Sequence, residues 1–194
     1  MISVRQKIIK RIFDIFFSII LILVLILPII LVYLLNFILE KDNIIFVSKR
    51  IGINNKYIYM PKFRTFSKDT EQIATHLMNE AEKKYTKLGK FMRKTSLDEL
   101  PQLFTILSGQ MSFVGPRPAL FNQYDLIEKR TNLGIHIFKP GVTGLAQVYG
   151  RDKLSIDEKV NLDKKYIDNY SFLLDCKIIL LTILKILKTN DITH

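Results

Sequence analysis

The stretch IFFSIILILVLILPIILVYLLNFIL, residues 15–39, contains no charged side chain and decides the architecture of the chain. A bilayer has a hydrocarbon core of ~30 Å, and a helix needs about 20 apolar residues to cross it. The stretch is long enough to cross. It is also longer than the apolar part of a secretory signal, and no small-residue cleavage site precedes Asn36. The sequence therefore predicts a retained membrane helix.

Two features leave the path of this helix open. Pro28 lies near the middle of the stretch, and proline removes a backbone donor and kinks a helix. Both ends carry basic residues, which prefer the cytoplasm. These residues are Arg5, Lys7, Lys10 and Arg11 before the stretch, and Lys41, Lys49 and Arg50 after it. Both a re-entrant helix that bends at Pro28 and a tilted, kinked span fit this pattern. Asp14 and Ser18 lie one helical turn apart. Three roles are open to them: they face a lipid headgroup, cap the neighbouring backbone or mark the boundary with water.

Beyond the helix, the pattern predicts a mixed domain. Residues 44–66 are typical of a β-hairpin, because two β-prone runs flank the turn sequence Gly52-Ile53-Asn54-Asn55. Helices are predicted over 97–108, 120–131 and 155–169, with surface helix and loop over 69–92, a rigid loop at 115–118 and turns around a brief strand over 138–151. The expected fold class is α+β, mostly helical, with one domain after the membrane helix.

The last apolar stretch, Phe172 to Leu187, has apolar residues at helical spacing and three interrupting charges. The predicted stripe consists of Phe172, Cys176, Ile179, Leu180, Ile183 and Leu187, and the charges are Asp175, Lys177 and Lys185. This is too much charge for a comfortable span. The pattern favours an amphipathic helix lying in the membrane interface, and the alternative is a helix docked on the core.

The net charge of the chain indicates which classes of partner it binds. Lys plus Arg number 29 against 18 Asp plus Glu, giving a net charge of +11. Such a balance favours anionic partners, namely nucleic acid, lipid headgroups or phosphorylated substrates. The single cysteine, Cys176, rules out an intramolecular disulfide, and three dispersed histidines do not have the spacing of a zinc site.

The densest group of reactive side chains lies in RKTSLDELPQ, residues 93–102. Ser96 and Glu99 have the spacing of a capping box, although Pro101 is tolerated only in a first turn, so the helix starts near Ser96–Asp98 or is distorted there. A helix start would favour ionised Asp98 and Glu99 and a bound phosphate. An ionised aspartate can attack phosphorus, and a carboxylate pair beside phosphates suits Mg²⁺. Ordinary helix capping explains the same pair.

Four arginines are candidate phosphate ligands through bidentate hydrogen bonds: Arg64, Arg93, Arg117 and Arg151. Scattered arginines are also common on solvated surfaces. Arg117 stands out because Pro116 and Pro118 stiffen the backbone on both sides of it.

Several ordered motifs then resemble those of the bacterial sugar transferase family, the monotopic polyprenyl-phosphate phosphoglycosyl transferases. They are KRIFD (10–14), KFRT (62–65), KTSLDELPQL (94–103), SGQMSFVGPRP (108–118) and PGVTGLAQVYGRD (140–152). The resemblance covers essentially the whole chain, and its length is similar to that of small members that carry only the catalytic core.

The resemblance implies a mechanism. Asp98 would attack the β-phosphate of a UDP-sugar, UMP would leave, and undecaprenyl phosphate would take the phosphosugar from the aspartyl intermediate. Glu99 would hold Mg²⁺. Position-by-position matching adds a polar lining for the site, formed by Lys62, Arg93, Arg117, Arg151 and Asp163.

The resemblance also implies a topology. Residues 1–40 would form a re-entrant helix in the lipid, broken at Pro28, and residues 41–194 a catalytic domain on the cytoplasmic face of the bacterial inner membrane. Three positions depart from the family pattern: Leu27, where Ser is frequent, Leu145, where Trp is common, and Tyr149, where Asn is common. Leu27 lacks the hydroxyl with which a serine would bind the backbone groups that Pro28 leaves without hydrogen bonds. The changes at Leu145 and Tyr149 bear on how the substrate fits.

Two other functions remain for comparison. A non-catalytic membrane adaptor would keep the fold and bind anionic lipid, but it has no need of Asp98 and Glu99. A membrane-anchored nucleic-acid-binding protein would explain the charge, but the sequence has neither a recognised binding motif nor interleaved aromatic and basic residues. We therefore expect no nucleic-acid partner.

Overall fold

A computed structural model describes residues 3–40, 44–67, 85–150 and 153–188. Its helices are α1 (Val4–Glu40), α2 (Gly89–Thr95), α3 (Gln102–Leu107), α4 (Tyr124–Asn132), α5 (Leu145–Tyr149), α6 (Ile156–Asp168) and α7 (Phe172–Lys188). Its strands are β1 (Ile45–Ile51), β2 (Tyr57–Phe63), β3 (Ser112–Val114) and β4 (Gly141–Thr143). The predicted α+β, mostly helical class is confirmed.

The predicted hairpin is also confirmed. Strands β1 and β2 pair antiparallel from Ile45 opposite Phe63 to Ile51 opposite Tyr57. The turn between them contains Asn54 and Asn55 at φ of 53° and 57°. Asparagine enters this left-handed region more readily than most residues, which explains the Asn-Asn pair at the turn.

Helix α1 packs against the rest of the domain along one continuous stripe of its surface. The residues of this stripe are buried or packed on the core clusters, and they recur every three or four positions: Asp14, Ser18, Leu21, Leu25, Ile29, Val32 and Asn36. The opposite face exposes large apolar side chains, among them Ile12, Phe16, Leu23, Leu27 and Ile38. By length and composition, the helix is able to cross a membrane.

The helix continues through Pro28 without interruption. Leu25 and Ile29, which flank the proline, both pack against the domain. This packing holds the helical path where Pro28 cannot donate a backbone hydrogen bond. A bend at Pro28 stays a prediction.

Polar anchors fix the start of α1. The Asp14 carboxylate accepts hydrogen bonds from Ser112 Oγ (3.0 Å) and from the Phe113 amide (3.1 Å). Arg11 donates to the carbonyl oxygens of Ile106 and Leu107, both at 2.7 Å. Asp14 therefore has a role that was not among those considered from the sequence, the binding of a hydroxyl and a backbone amide of a distant segment.

Helix α7 docks on the core, which is the alternative that the sequence left open beside the interfacial helix. Its packed face carries Ile178, which is fully buried, together with Asp175 and Thr182. The predicted apolar stripe is largely the outer one, since Cys176, Leu180 and Ile183 are exposed. Sequence periodicity did not separate the two faces because both are apolar. Contact of the outer face with the membrane interface stays a prediction.

A buried ion pair joins α1 to α7. Lys10 Nζ lies 2.6 Å from Asp175 Oδ2, and Tyr166 donates its hydroxyl to Asp175 Oδ1 at 2.7 Å. The Asp175 side chain is 3% exposed, so the ion pair and the hydroxyl together satisfy a carboxylate in the interior. Asp175, predicted only as an interruption of the stripe, is therefore a structural residue.

We expect Asp175→Ala to lower the free energy of unfolding by about 3 kcal/mol, because it leaves the Lys10 charge in a largely buried position without its partner. Asp168→Ala is the matched control. It removes the exposed pair with Lys164 and should cost less than about 1 kcal/mol. Denaturant unfolding in detergent micelles measures both, and equal losses would contradict the structural role.

The second sheet carries the loop 115–118. Strands β3 and β4 run parallel, with Ser112 opposite Gly141 and Val114 opposite Thr143. A Cβ atom at Gly141 would lie 2.1 Å from the Gly115 nitrogen, so this close crossing requires glycine. Helix α6 begins with the capping box of Ser155 and Glu158 and closes the core beneath the loop.

Candidate active site

The carboxylates Asp98 and Glu99 lie in a tight 3₁₀ turn, Leu97–Glu99, between α2 and α3. Ser96 ends α2 in the left-handed conformation (φ 58°), and its side chain makes no capping hydrogen bond. The predicted capping box of Ser96 and Glu99 is therefore wrong, and the distorted helix start that Pro101 suggested is confirmed. The physical reason is that a left-handed Ser96 turns the chain between two short helices.

Glu99 is the meeting point of two cations. Lys62 Nζ donates to Glu99 Oε1 at 2.7 Å, and Arg117 Nη2 donates to the same oxygen at 3.0 Å. The side chains of Lys62 and Glu99 are each 14% exposed. Three segments distant in sequence, namely β2, the 3₁₀ turn and the loop 115–118, thus meet at one carboxylate oxygen.

The hairpin presents Lys62 to this site. Lys62 lies opposite Phe46, and side chains alternate between the two faces of a strand. The face that carries Lys62 also carries Ser48, Met60 and Ile58, which are all buried. The strand register therefore directs the Lys62 ammonium toward the interior of the domain.

Asp98 is 6% exposed, and its burial raises the pKa of the carboxyl group. The nearby Lys62 charge opposes this rise, the Glu99 charge adds to it, and Arg93 and Arg117 oppose it. The sequence predicted that a helix start would favour the ionised form. In the structure Asp98 precedes α3, and desolvation of the carboxyl group is the largest effect on its pKa, so its charge state stays a prediction.

Burial also lowers the pKa of the Lys62 ammonium, although the Glu99 carboxylate counteracts this effect. The Lys62 ammonium thus loses hydration and is kept charged chiefly by the Glu99 carboxylate. A bound anion such as a phosphate would give the surrounding cations a further partner.

The other three arginines predicted as phosphate ligands differ in their surroundings. The Arg93 guanidinium lies 4.7 Å from the centre of the Phe66 ring and is near enough to Asp98 to lower the pKa of that carboxyl group. The Arg64 guanidinium lies 5.6 Å from the centre of the Phe46 ring, and its role as a phosphate ligand stays a prediction. Arg151 lies outside the described residues.

Asp163 is bonded to an arginine that the sequence did not single out. Its side chain is 1% exposed, and Arg130 donates from Nη2 (2.6 Å) and from Nε (3.0 Å) to Asp163 Oδ2. Arg130 also donates to the Arg117 carbonyl oxygen at 2.7 Å. Asp163 therefore contacts the site through Arg130, and direct contact with a substrate stays a prediction.

Arg50 is the other residue that sequence reasoning did not assign to the site. It lies on the same face of β1 as Ser48, to which its Nε donates at 2.9 Å, and its charge helps to lower the pKa of Lys62. Strand alternation could have found Arg50, because it is four positions from Phe46, the residue opposite Lys62. For Arg130 the sequence contains no comparable signal.

The donor set fits a divalent cation only with help from a substrate. Among the described residues, no three His, Cys, Asp or Glu side chains come together. Asp98 and Glu99 would supply carboxylate oxygens, and phosphate oxygens and water would complete the shell. Mg²⁺ binds in this way, through one or two carboxylates plus substrate phosphates.

The chain matches one protein-family model and several individual proteins. The family model described as bacterial sugar transferase matches residues 5–189. A sugar transferase of Bacillus subtilis (strain 168), EpsL, is 41% identical over 150 residues, which are 77% of this chain and 72% of that protein.

Two further relatives are much longer than this chain. Galactosyl transferase CpsE of Streptococcus agalactiae is 41% identical over 151 residues, 72% of this chain and 33% of that protein. A UDP-glucose:undecaprenyl-phosphate glucose-1-phosphate transferase of Klebsiella pneumoniae is 41% identical over 155 residues, 75% of this chain and 33% of that protein. The chain thus spans about a third of these two relatives.

Proposed function

The chain belongs to the bacterial sugar transferase family, and on this premise we propose that it transfers a sugar 1-phosphate from a UDP-sugar to undecaprenyl phosphate. The observation that carries the proposal is the buried Asp98 carboxylate beside a Glu99 that is held by Lys62 and Arg117. The chemistry needs a nucleophile that is poorly hydrated and surrounded by cations that attract a diphosphate.

The reaction has two displacements at one phosphorus atom. In the first, an Asp98 carboxylate oxygen forms a bond to the β-phosphorus of the donor, and the bond from that phosphorus to UMP breaks. UMP leaves with the electron pair. In the second, an oxygen of the lipid phosphate forms a bond to the same phosphorus, and Asp98 leaves as carboxylate. The product is undecaprenyl-diphosphate-sugar.

The cations of the site have separate tasks in this scheme. Lys62 and Arg117 hold Glu99 in place and offer donors to the diphosphate, and Arg93 stabilises the ionised form of Asp98. Glu99 and Asp98 would hold Mg²⁺ together with phosphate oxygens. When bound, the ion would neutralise charge that develops on the diphosphate.

The packing of α1 supports a re-entrant path on one side of the bilayer. Arg11 and Asn36 both contact the domain, and the 25 residue steps of helix from one to the other span about 37 Å. A straight crossing would take one of these contacts to the far side of a ~30 Å core. We propose that α1 lies in the cytoplasmic leaflet of the bacterial inner membrane, with its exposed apolar face in lipid.

The decisive assay measures UMP released by the purified full chain in micelles with Mg²⁺ and undecaprenyl phosphate. A panel should contain UDP-glucose, UDP-galactose and UDP-linked amino-deoxy sugars, the last class being the one that the resemblance favours. We expect one of these donors to give UMP and a lipid-linked sugar. Release from none of them would refute the proposed function.

Topology can be tested with single cysteines on both sides of α1. In a Cys176→Ser background, which removes the exposed native thiol, Val4→Cys and Val47→Cys place reporters at exposed positions. We expect a membrane-impermeant maleimide to label both positions in inside-out vesicles and neither in intact spheroplasts. Labelling of the two positions from opposite faces would refute the re-entrant path.

The pH dependence of the reaction should follow the buried nucleophile. Asp98 must be ionised in the free enzyme, and burial raises its pKa, so kcat/KM should fall with acidity at a higher pH than an ordinary aspartate predicts. Because Lys62 opposes this rise, Lys62→Met should move the acid limb to still higher pH. The exposed Lys90→Met is the control and should leave the limb unchanged, and an unmoved limb in Lys62→Met would contradict the coupling.

A further inference from the structure

The loop that carries Arg117 is held by the Gly115 amide, which donates to the Thr143 carbonyl oxygen at 2.9 Å, and otherwise through its own carbonyl oxygens. Pro116 and Pro118 have no N–H group, so the loop has few donors with which to fix itself. The Pro116 carbonyl accepts from the Gly141 amide at 3.0 Å, and the Pro118 carbonyl lies 3.4 Å from Arg50 Nη1. The shortest of the three contacts is the one from Arg130 Nη1 to the Arg117 carbonyl, at 2.7 Å.

Arg130 is itself locked in place by Asp163. Two of its nitrogens donate to one carboxylate oxygen, and the side chains of Arg130 and Asp163 are only 11% and 1% exposed. A planar guanidinium that is bonded on two edges has little freedom to rotate. Its third nitrogen therefore points in a defined direction, toward the Arg117 carbonyl.

The contacts form one path from the core to the candidate active site. Asp163 on α6 fixes Arg130 on α4, Arg130 fixes the backbone of Arg117, and the Arg117 side chain donates to Glu99 at 3.0 Å. We propose that Arg130 and Asp163 are positioning residues that set the place of the Arg117 guanidinium for the transfer reaction. The inference rests on the proposed function, and it assigns Asp163 to positioning and away from substrate contact.

A merely structural ion pair would predict something different. If Arg130 served only to neutralise buried Asp163, replacing both by apolar residues of similar size would leave activity intact, since such replacements are often neutral for stability. If Arg130 positions Arg117, the same double replacement would keep the fold and still impair the reaction. The double variant Arg130→Met/Asp163→Leu separates the two cases.

The chain contains a matched control for this variant. Lys129 and Asp157 form an ion pair between the same two helices, α4 and α6, and lie one residue from Arg130 and six from Asp163. Both side chains are well exposed. Lys129→Met/Asp157→Leu therefore removes a link between the same helices that does not involve Arg117.

For Arg130→Met/Asp163→Leu we expect kcat for UMP release to fall about 10- to 100-fold at an unchanged folded fraction, because small displacements of a binding group have effects of this size. The control pair should stay within about twofold of wild type. Arg130→Lys should also lose activity while folding, since one ammonium can neutralise Asp163 but cannot reach two partners in fixed directions. It serves as the second variant if the double replacement unfolds.

A thermodynamic cycle tests whether Arg130 acts through Arg117. In an Arg117→Met background, adding Arg130→Met/Asp163→Leu should change kcat by less than about twofold, because the group being positioned is already gone. A full additional loss in that background would overturn the proposal. So would wild-type kcat in Arg130→Met/Asp163→Leu or in Arg130→Lys.

Amide hydrogen exchange supplies a measurement that needs no substrate. We expect the amides of Gly115 and Gly141, which donate to the carbonyl oxygens of Thr143 and Pro116, to exchange about tenfold faster in Arg130→Met/Asp163→Leu and to be unchanged in the control pair. Unchanged exchange in both would overturn the positioning of the loop. If wild type releases no UMP from any donor, the proposed function fails, and the exchange result alone still decides whether Arg130 holds Arg117.

Discussion

Asp98→Asn will reduce UMP release by about 10³-fold or more, because an amide cannot replace the carboxylate that forms the bond to phosphorus. The substitution should not harm the fold. Burial disfavours the charged form of Asp98, and a neutral amide of the same shape removes that cost. Thermal unfolding and membrane binding should therefore match wild type.

A single-turnover experiment makes this prediction sharper. With a donor labelled in the sugar and no lipid acceptor, wild type should release up to one UMP per active site and retain the label covalently after denaturation. Asp98→Asn should do neither. Asp157→Asn, at an exposed aspartate, is the control and should behave as wild type. Normal turnover in Asp98→Asn would exclude Asp98 as the nucleophile.

Glu99→Gln should have the second largest effect, a loss of about 100-fold in kcat. The amide oxygen can still accept from Lys62 and Arg117, so the geometry is largely kept. The negative charge is lost, however, and two cations in a poorly hydrated site lose their partner. Losses of this size are typical when one preorganised electrostatic partner is removed.

The same variant tests the proposed metal site. If Glu99 is a ligand, Glu99→Gln should raise the Mg²⁺ concentration that gives half-maximal UMP release. Glu128→Gln, at an exposed position of α4, is the control and should leave this concentration unchanged. An unchanged Mg²⁺ requirement in Glu99→Gln, with activity lost, would assign Glu99 to charge balance alone.

The hairpin and the helices α4 and α6 were predictable because their signals are local. The Asn-Asn turn between two β-prone runs determines the pairing of β1 with β2, and α6 begins at the serine where the predicted helix over 155–169 begins. Asp98 and Glu99 could be named as a candidate pair from residue type and spacing, although ordinary helix capping explains the same pattern, and their roles stay a prediction.

The same local reasoning failed at Ser96 and Asp175. Serine is a common residue type at helix caps, but in the structure Ser96 ends α2 in the left-handed conformation, and its side chain makes no capping hydrogen bond. Asp175 seemed to interrupt an apolar stripe, yet Lys10, 165 residues away, makes it an interior residue. Neither outcome is encoded in a short window of sequence.

By itself, the sequence determined a long apolar helix at residues 15–39, a mixed domain after it and a pair of carboxylates suited to phosphorus chemistry. Only the tertiary structure decided that α1 lies along the domain through Pro28, that Lys62 and Arg117 share one oxygen of Glu99, and that Arg130 connects Asp163 to this site. The physical reason is the range of the interactions. Hydrophobic length and turn chemistry act between near neighbours, whereas the charge of a buried carboxylate is balanced by any cation that the packing of distant segments brings within a hydrogen bond.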